Sequence, residues 1–305
     1  MRFDFIEQLR QQQPRSKVTL LCRALDVSCS GYGAWCKRQG QPSPSSTRQQ
    51  AQARLVLEIR AAHRRGRCYY GSPKVHRDLR EQGIRVSRKR VAQLMRQHGL
   101  RGRCRRRRIV CTTESRHALP VASNLLARCF APSEVGRLNR FWCGDITYVA
   151  TAEGWQYLAI IQDLFSRRVI GWAMSDTLET SLVHQAWQQA LRTRGFVPGQ
   201  GPHLYHSDRG SQYASHLFQE VLAHARTRCS MSEKGDCYDN AVAESFFGTY
   251  KAELLADQPQ RRFSSKAQAL ALTADYIDNF YNPVRRHSTL GYKSPVAFEL
   301  AHQMK

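Results

Sequence analysis

Three acidic residues stand in sequence contexts suited to holding a catalytic metal ion. They are Asp145 in FWCGDITYV, Asp208 in LYHSDRGSQY and Glu244 in DNAVAESFFGTYK, and 35 residues separate the last two. Magnesium prefers oxygen ligands such as carboxylates, and two such ions about 3.5–4 Å apart assist in-line displacement at phosphorus. Asp145, Asp208 and Glu244 are therefore our candidate catalytic residues and ligands of Mg²⁺ or Mn²⁺, with two ions expected.

Spacing by itself does not identify the site, because Asp78 and Glu114 are also separated by 35 residues, within a basic segment. The local patterns discriminate between the two sets. Asp145 lies in an alternating run of aromatic and β-branched residues that predicts a strand, and Asp208 ends a short strand before an Arg-Gly turn. Glu244 falls in the first turns of a predicted helix. Two strand tips and one helix can bring three carboxylates together.

Other acidic residues near these motifs compete for the metal-binding role. Asp163 is expected to form a turn at the end of a strand. Asp236 and Asp239 lie in a Gly-, Asp- and Lys-containing segment, Ser232 to Asp239, which predicts a mobile loop beside the site. These three residues remain the alternatives for contact with a metal ion.

Further polar side chains are expected close to the three carboxylates. Asn240 can cap the helix that carries Glu244, and Lys251 lies two turns after Glu244 on the same face, within reach of a DNA phosphate. His206 precedes Asp208 by two residues and is expected to be structural, because no nucleophile elbow accompanies it.

The charge of the chain is very unevenly distributed. The 305 residues carry a formal net charge of +23; residues 1–118 hold 28 Lys and Arg against 7 Asp and Glu, whereas residues 119–305 hold 19 against 17. This asymmetry indicates a basic, nucleic-acid-binding half joined to a nearly neutral half. A solvated basic face without a partner is the alternative.

The basic half contains two candidate helix-turn-helix units. In the first, from about Val18 to Arg38, Ser28 is a plausible N-cap for a helix with two aromatic residues. In the second, Ser72-Pro73 and Ser87 mark two helix starts, and a glycine follows each helix.

The last helix of the second helix-turn-helix, Arg88 to His98, has one apolar face and one basic face, as a recognition helix in a major groove would have. An Arg-rich arm follows it, suited to phosphates or to a minor groove. The predicted DNA-contacting residues are Lys251, Arg88, Lys89, Arg90, Arg96, Arg103, Arg105, Arg106, Arg107 and Arg108.

The neutral half predicts an α/β fold. Three strands joined by short connections, then a helix, a strand and a helix, follow the order of a ribonuclease-H-like core. The predicted segments are a helix-turn-helix-like N-terminal segment (1–41), a Pro/Ser/Gln-rich linker (42–52), a helix-turn-helix DNA-binding domain with its Arg-rich arm (53–108), a second linker (109–134), the catalytic core (135–260) and a C-terminal helical segment that completes the core (261–305).

Five motifs of the neutral half, in this order, resemble the OrfB product of bacterial insertion sequences of the IS-three family. They are FWCGDITYV, IQDLFSRRVIGWAM, HSDRGSQY, GDCYDNAVAESFFGTYK and YNPVRRHSTLGYKSPVAFE; the segment YGSPKVHRDLREQGIRVSRKRVAQLMRQHGL resembles the helix-turn-helix that precedes the core in that family. The resemblance covers nearly the whole chain. It implies an integrase-type DDE core with Asp145, Asp208 and Glu244 as the metal-binding triad.

The resemblance also implies a function and partners. Family members cleave element ends and join a 3′-hydroxyl to a target phosphate, through a circular intermediate, acting on double-stranded DNA as multimers. The active enzyme in the family is usually a fusion with an upstream OrfA product that supplies a leucine zipper, and this chain contains no sustained heptads. The alternative to an active transposase is a DNA-binding regulator whose core is idle without that partner; a nuclease acting on RNA:DNA hybrids is a third possibility, which leaves the helix-turn-helix units unexplained.

From the remaining composition we expect a soluble, intracellular protein, and the family resemblance implies the bacterial cytoplasm, associated with the nucleoid. No stretch approaches the roughly 20 apolar residues of a membrane span, and no signal-peptide core is present. The ten cysteines form no CxxC pair, and Cys22, Cys29 and Cys36 have no histidine at metal-ligand spacing. We expect them to be reduced structural thiols rather than a zinc site.

Overall fold

The computed structural model describes residues 1–13, 16–39, 44–103, 119–233 and 237–303. By internal contacts the chain forms two compact units, residues 1–61 and residues 62–305. No helix within these described ranges is long and apolar enough to cross a membrane.

The first unit is helical. It contains α1 (Arg2–Gln12), α2 (Val18–Ala24), α3 (Cys29–Gln39) and the first part of α4 (Pro44–Arg65). Ile6, Cys22 and Tyr32 form its small buried core. The Ser28 hydroxyl accepts a hydrogen bond from the Gly31 N–H at 3.0 Å, so the helix start predicted at Ser28 is confirmed.

The linker predicted for residues 42–52 is wrong over most of its length, because α4 begins at Pro44. Proline is well tolerated in the first turn of a helix, and residues 45–65 contain neither glycine nor another proline. Gln, Ala and Arg are good helix formers and outweigh the Ser- and Thr-rich start. Residues 42 and 43 lie outside the described residues.

The second unit opens with the predicted helix pair, α5 (Ser72–Glu81) and α6 (Arg88–Gln97). The Ser87 hydroxyl caps α6 by accepting the Arg90 N–H at 3.2 Å, as predicted. Gly83 and Gly99 follow the two helices with φ of 79° and 67°, a left-handed conformation that favours glycine. Gly71 rather than Ser72 is the N-cap of α5, which shifts the predicted start by one residue.

A five-stranded sheet forms the centre of the second unit. Its strands are β1 (Phe141–Thr151), β2 (Gly154–Asp163), β3 (Val169–Ser175), β4 (Leu204–Ser207) and β5 (Arg228–Met231), in the order β3-β2-β1-β4-β5. The first three strands form an antiparallel meander, and β4 and β5 continue it in parallel. The three-strand meander was predicted; β5 was not, because its four residues show no hydrophobic alternation.

Helices cover both faces of the sheet. The remaining helices are α7 (Pro132–Val135), α8 (Thr180–Arg194), α9 (Ser211–Ala214), α10 (His216–His224), α11 (Ala241–Glu253), α12 (Lys266–Ala274) and α13 (Pro295–Gln303), with a π-helical segment (Asp275–Tyr281) and 3-10 turns at Cys237–Asn240, Leu255–Asp257, Pro259–Arg261 and Ser288–Leu290. Neighbouring residues on a strand point to opposite faces. Trp142 packs with α8 and α10, and Cys143 packs with α11 and α13. This is the predicted α/β, ribonuclease-H-like core preceded by basic helices.

Candidate active site and DNA-binding surface

The sheet brings Asp145 and Asp208 side by side. Phe141 to Cys143 of β1 pair in parallel with Leu204 to His206 of β4. Extending that register by two residues sets 145 opposite 208, and neighbouring strands lie about 4.8 Å apart. Asp208 directly follows β4, as predicted, and its Oδ1 accepts the Gly210 N–H at 3.0 Å. Asp145 is the fifth residue of β1 and not at a strand tip. The pairing of β1 with the short strand β4 ends at Cys143, before Asp145.

Helix α11 carries Glu244 in its first turn and packs against β1. Asn240 occupies the N-cap position, but its side chain does not cap the helix. Its Nδ2 instead donates a hydrogen bond to the Gly144 carbonyl oxygen at 3.4 Å. This contact fastens the start of α11 beside the residue that precedes Asp145.

The three carboxylates interact electrostatically. Burial raises the pKa of Asp145 well above its ordinary value, and the negative charge of Asp208, then that of Glu244, raises it further. The Ile146 N–H, which donates to Asp145 Oδ1 at 2.8 Å, and the Lys251 ammonium act in the opposite direction without cancelling the shift. We call Asp145, Asp208 and Glu244 the acidic cluster.

As the side chains stand, the described ranges contain no three His, Cys, Asp or Glu groups closed around one metal position. The acidic cluster nonetheless concentrates negative charge at one place, which is the electrostatic condition for binding a hard cation.

Lys251 lies on α11 two turns after Glu244 and is exposed. Partial desolvation lowers the pKa of its ammonium group, while the Asp145 carboxylate opposes that shift. The interaction with Asp145 places this cation close to the acidic cluster, where the sequence predicted a phosphate contact.

Asp163 is a structural residue, as its turn position suggested. The carboxylate is fully buried and accepts hydrogen bonds from the N–H groups of Asn139 at 2.8 Å and Phe165 at 2.9 Å. Arg194 contacts its second oxygen at 3.3 Å and also pairs with Glu299 of α13. Burial raises the pKa of Asp163, and Arg194 and the N–H donors act against that rise.

Glu299 completes this arrangement. Arg168 donates to its Oε2 at 2.8 Å, and the Ser166 hydroxyl donates to its Oε1 at 2.6 Å. We call Asp163 and Glu299, with Arg168 and Arg194, the paired cluster. No local pattern predicts this cluster, because 105 residues separate Arg194 from Glu299.

Asp239 also has a structural environment. Its buried carboxylate pairs with Arg128 at 2.8 Å and accepts hydrogen bonds from Asn124 and from the Glu233 N–H, both at 2.9 Å. Burial alone would raise the pKa of Asp239, but these partners outweigh it and lower the pKa. Asp236 and the centre of the predicted mobile loop lie outside the described residues.

His206 is buried behind the strand ends. Its Nδ1 lies 2.9 Å from the Ser230 hydroxyl of β5, and burial lowers the pKa of the ring to about 4 against the weaker effect of Asp239. A neutral, hydrogen-bonded histidine agrees with the structural role expected for it.

Gly144 is a site requirement that the sequence analysis missed. A Cβ at this position would overlap the hydroxyl of the buried Tyr205 and approach the Ile160 carbonyl oxygen at 3.2 Å. A glycine inside a strand pattern signals such a close approach. The position therefore fixes how β1 passes β4 immediately before Asp145.

On the helix pair, α6 presents its basic face to solvent. Arg88, Lys89 and Arg96 are exposed, and the half-buried Arg90 donates to Gln93 at 3.0 Å on the same helix. The opposite, buried face of α6 carries Val91, Leu94 and Met95. Arg103 forms an ion pair with Asp257. Arg105, Arg106, Arg107 and Arg108 lie outside the described residues.

Known protein families match the helix pair and the sheet-containing core in the order in which these parts follow along the chain. The HTH-like domain family matches residues 49–108, and two families described as Integrase core domain match residues 137–237 and 225–295. The chain is 42% identical to the insertion element IS600 uncharacterized 31 kDa protein of Shigella sonnei, covering 93% of this chain and 99% of that protein. It is 40% identical to transposase InsF for insertion sequence IS3A of Escherichia coli strain K12, covering 98% of each.

Among solved structures, the chain is similar to the HTLV-2 integrase catalytic core domain in complex with magnesium. The TM-score is 0.39 at 19% identity, over 53% of this chain and 95% of that one. A simian T-cell lymphotropic virus intasome in complex with PP2A regulatory subunit B56 gamma gives a TM-score of 0.40 at 18% identity, over 65% and 63% of the two chains.

Proposed function

The chain belongs to the IS3 family of insertion-sequence transposases, and on that premise we propose that it binds element ends and joins them to target DNA in a metal-dependent reaction at Asp145, Asp208 and Glu244. The observation that carries the proposal is geometric: the register of β1 and β4 sets Asp145 opposite Asp208, and α11, which packs against β1, carries Glu244; the raised pKa of Asp145, caused by burial and by the two other carboxylates, agrees with it. Strongly perturbed ionisable groups that gather at one place are typical of functional sites.

The donor set of the acidic cluster suits a hard divalent cation. Three carboxylates provide oxygen ligands, and their combined charge exceeds what Lys251 offsets at Asp145. Asp145, Asp208 and Glu244 would hold Mg²⁺ or Mn²⁺, and we propose two ions. When bound, such ions polarise the attacked phosphate and stabilise the leaving oxygen.

The chain's own residues then have distinct tasks. The Gly210 N–H orients the Asp208 carboxylate, and the Ile146 N–H orients that of Asp145. Asn240 holds the start of α11 against β1, which keeps Glu244 beside the other two. Lys251 is placed to contact a phosphate of the DNA strand that enters the cluster.

The helix pair supplies DNA recognition in this proposal. Its exposed basic residues Arg88, Lys89 and Arg96 face solvent on α6, the helix that would enter a major groove. Arg90 and the arginines at 105–108 would add phosphate contacts, whereas Arg103, predicted from the sequence to contact DNA, pairs with Asp257 of the core instead. Assembly into a multimer that holds two ends, and fusion to an upstream OrfA product, complete the proposed enzyme.

The test is joining of a pre-cleaved DNA end, taken from the sequence that flanks the gene, into a plasmid with Mg²⁺ or Mn²⁺. The parent chain is compared with Glu244→Gln, and filter binding measures DNA affinity for both. We expect joining by the parent alone and equal DNA affinity.

Equal joining by both proteins would contradict the assignment of Glu244 as a catalytic residue. Binding without joining by either protein would favour a DNA-binding regulator whose core is idle without the upstream product.

A further inference from the structure

Two consecutive arginines join the catalytic core to the helix pair. Arg285 lies against α11, where its Nε and Nη2 contact the Glu253 carboxylate at 2.8 Å and 2.7 Å. The Tyr276 hydroxyl donates to the same carboxylate at 2.7 Å. Glu253 follows Glu244 by nine residues, about 13 Å along one helix. Arg285 therefore holds the far end of the helix that carries a catalytic carboxylate.

Arg286 faces the opposite way. Its Nη2 donates to Asp78 and to Glu81 of α5, both at 2.7 Å, and its Nη1 donates to the Tyr292 carbonyl oxygen at 3.0 Å. Tyr70 adds a second connection: the Arg286 N–H donates to its hydroxyl at 2.9 Å, and that hydroxyl donates to a backbone carbonyl of the core at 3.0 Å.

Ion pairs also fasten both ends of the helix pair to the core. Before α5, Arg67 pairs with Asp275, with Nη2 at 3.0 Å from Oδ1, and its guanidinium lies 5.0 Å from the centre of the Phe280 ring. After α6, Arg103 pairs with Asp257. The helix pair is thus fixed at its start, along α5 and at its end.

The two arginines differ in how much they contribute to folding. Burial alone would lower the pKa of Arg285, but Glu253 outweighs that effect and raises it, as expected for an integral buried pair. Arg286 is half-buried, and removing it leaves Asp78 with Arg65 at 2.7 Å and Gln82 at 3.0 Å. The helix pair would keep a neutralised Asp78 without Arg286, so this contact can be cut without unfolding it.

We propose that Arg286 and Tyr70 are positioning residues for the joining reaction: they hold DNA bound on α6 in register with the acidic cluster. This inference rests on the proposed function. Successive nucleotides lie about 3.4 Å apart along the duplex. A shift of the helix pair by a few ångströms therefore presents a different phosphate to the carboxylates.

The test uses the full chain with Tyr70→Phe and Arg286→Ala combined. Arg77→Ala is the matched control, because Arg77 lies on α5, the helix that Arg286 contacts, and its guanidinium pairs with Glu81 of that helix. Joining of pre-cleaved ends is sequenced to map the joined nucleotide, DNA affinity is measured by filter binding, and hydroxyl-radical footprints are taken without metal.

We expect the double variant to bind DNA within about twofold of the parent, to join about tenfold more slowly, and to spread its joints over neighbouring nucleotides. In the footprint, the parent protects one continuous stretch from the α6 contact to the DNA end, whereas the double variant protects the α6 contact alone. Arg77→Ala matches the parent in joint position and footprint, and Arg286→Lys restores part of the precision.

A double variant with parental joint positions and a parental footprint would overturn the positioning role, even when Glu244→Gln abolishes joining and the proposed function holds. A loss of DNA affinity as large as the loss of joining would also overturn it, since Arg286 would then act through the fold of the helix pair. If the parent chain shows no joining, the footprint alone tests the positioning role, because a footprint requires DNA binding but no catalysis.

Discussion

The acidic cluster and the paired cluster lie in the same unit and use the same chemical groups for opposite purposes. Asp145, on β1, has its pKa raised by burial and by the two neighbouring carboxylates. Glu299, in the paired cluster, is also buried, yet Arg194, Ser166 and Arg168 outweigh burial and lower its pKa. One cluster concentrates negative charge; the other neutralises it.

The two clusters differ in the partners of each acid: burial raises the pKa of Asp163 as well, but Arg194 and N–H donors act against that rise, whereas Asp208 and Glu244 add to it at Asp145. A carboxylate that serves the fold is surrounded by cations and N–H donors, because a buried, unpaired charge is destabilising. Repulsion between the carboxylates of one cluster lowers the stability of the fold. Such a cluster is expected where a bound ion or substrate offsets its negative charge.

Replacing Glu299 by Ala should give the largest loss of stability. The change leaves Arg168 and Arg194 without their shared carboxylate, and breaking a buried ion pair costs about 3–5 kcal/mol. Urea unfolding followed by tryptophan fluorescence measures the effect. A loss below about 1 kcal/mol would show that the paired cluster is not a structural centre.

His206 should make the fold sensitive to mild acid. The unfolded ring takes up a proton near its ordinary pKa of 6.5, whereas the buried ring does so at about 4. The unfolded state therefore binds more protons between these values, and stability falls as pH drops from about 6.5 to about 4, by roughly 3 kcal/mol in total. Unfolding in a chelating buffer should show this slope for the parent and a smaller one for His206→Asn; equal slopes would exclude His206 as the cause.

Gly144→Ala should damage both stability and the site. The added Cβ overlaps the Tyr205 hydroxyl, and relieving such overpacking costs about 1–3 kcal/mol. Because the displaced residue adjoins Asp145, joining per folded molecule should also fall. Gly154→Ala, at a turn with open space around the glycine but a φ of 108°, is a control that strains the backbone outside the acidic cluster. If Gly144→Ala joins DNA as fast as the parent, the close packing of Gly144 against Tyr205 is not needed for catalysis.

Asp145→Asn, unlike the three preceding changes, should stabilise the fold. A raised pKa means that the folded state binds more protons than the unfolded state above the ordinary value of 3.8. Stability of the parent therefore falls as pH rises from about 3.8 through the raised pKa, and this loss is absent in the variant. Thermal unfolding at several pH values, with a chelator present, measures the difference. A variant less stable than the parent at pH 7 would contradict repulsion within the acidic cluster.

Local patterns were sufficient for the elements that carry the site. Alternation predicted β1, runs joined by short connections predicted β2 and β3, and the capping signals at Ser28 and Ser87 predicted two helix starts that the structure confirms. Composition misled at residues 42–52, where a Ser- and Gln-rich start concealed a helix. The strand β5 was missed because its pairing with β4, and not its own pattern, makes it a strand.

Contacts between residues far apart in the chain could not be predicted from the sequence. The contacts of Glu299 with Arg194 and of Tyr70 with Arg286 join residues 105 and 216 positions apart, and no local periodicity encodes them. The three acidic residues could be selected from their contexts, but the position of Asp145 inside β1 follows from the pairing of β1 with β2 over Trp142 to Thr151. Tertiary packing determined what local propensity left open.

The most direct measurement compares Asp145→Asn with Asp163→Asn in joining per folded molecule, with Mn²⁺ and pre-cleaved ends. Both changes replace a buried or half-buried aspartate on adjacent strands of one sheet. We expect Asp145→Asn to lose at least about 10²–10³-fold in joining while remaining folded. We expect Asp163→Asn to be less stable and to join normally once folded. Joining retained by Asp145→Asn, or abolished in folded Asp163→Asn alone, would contradict the assignment of the acidic cluster as the catalytic site.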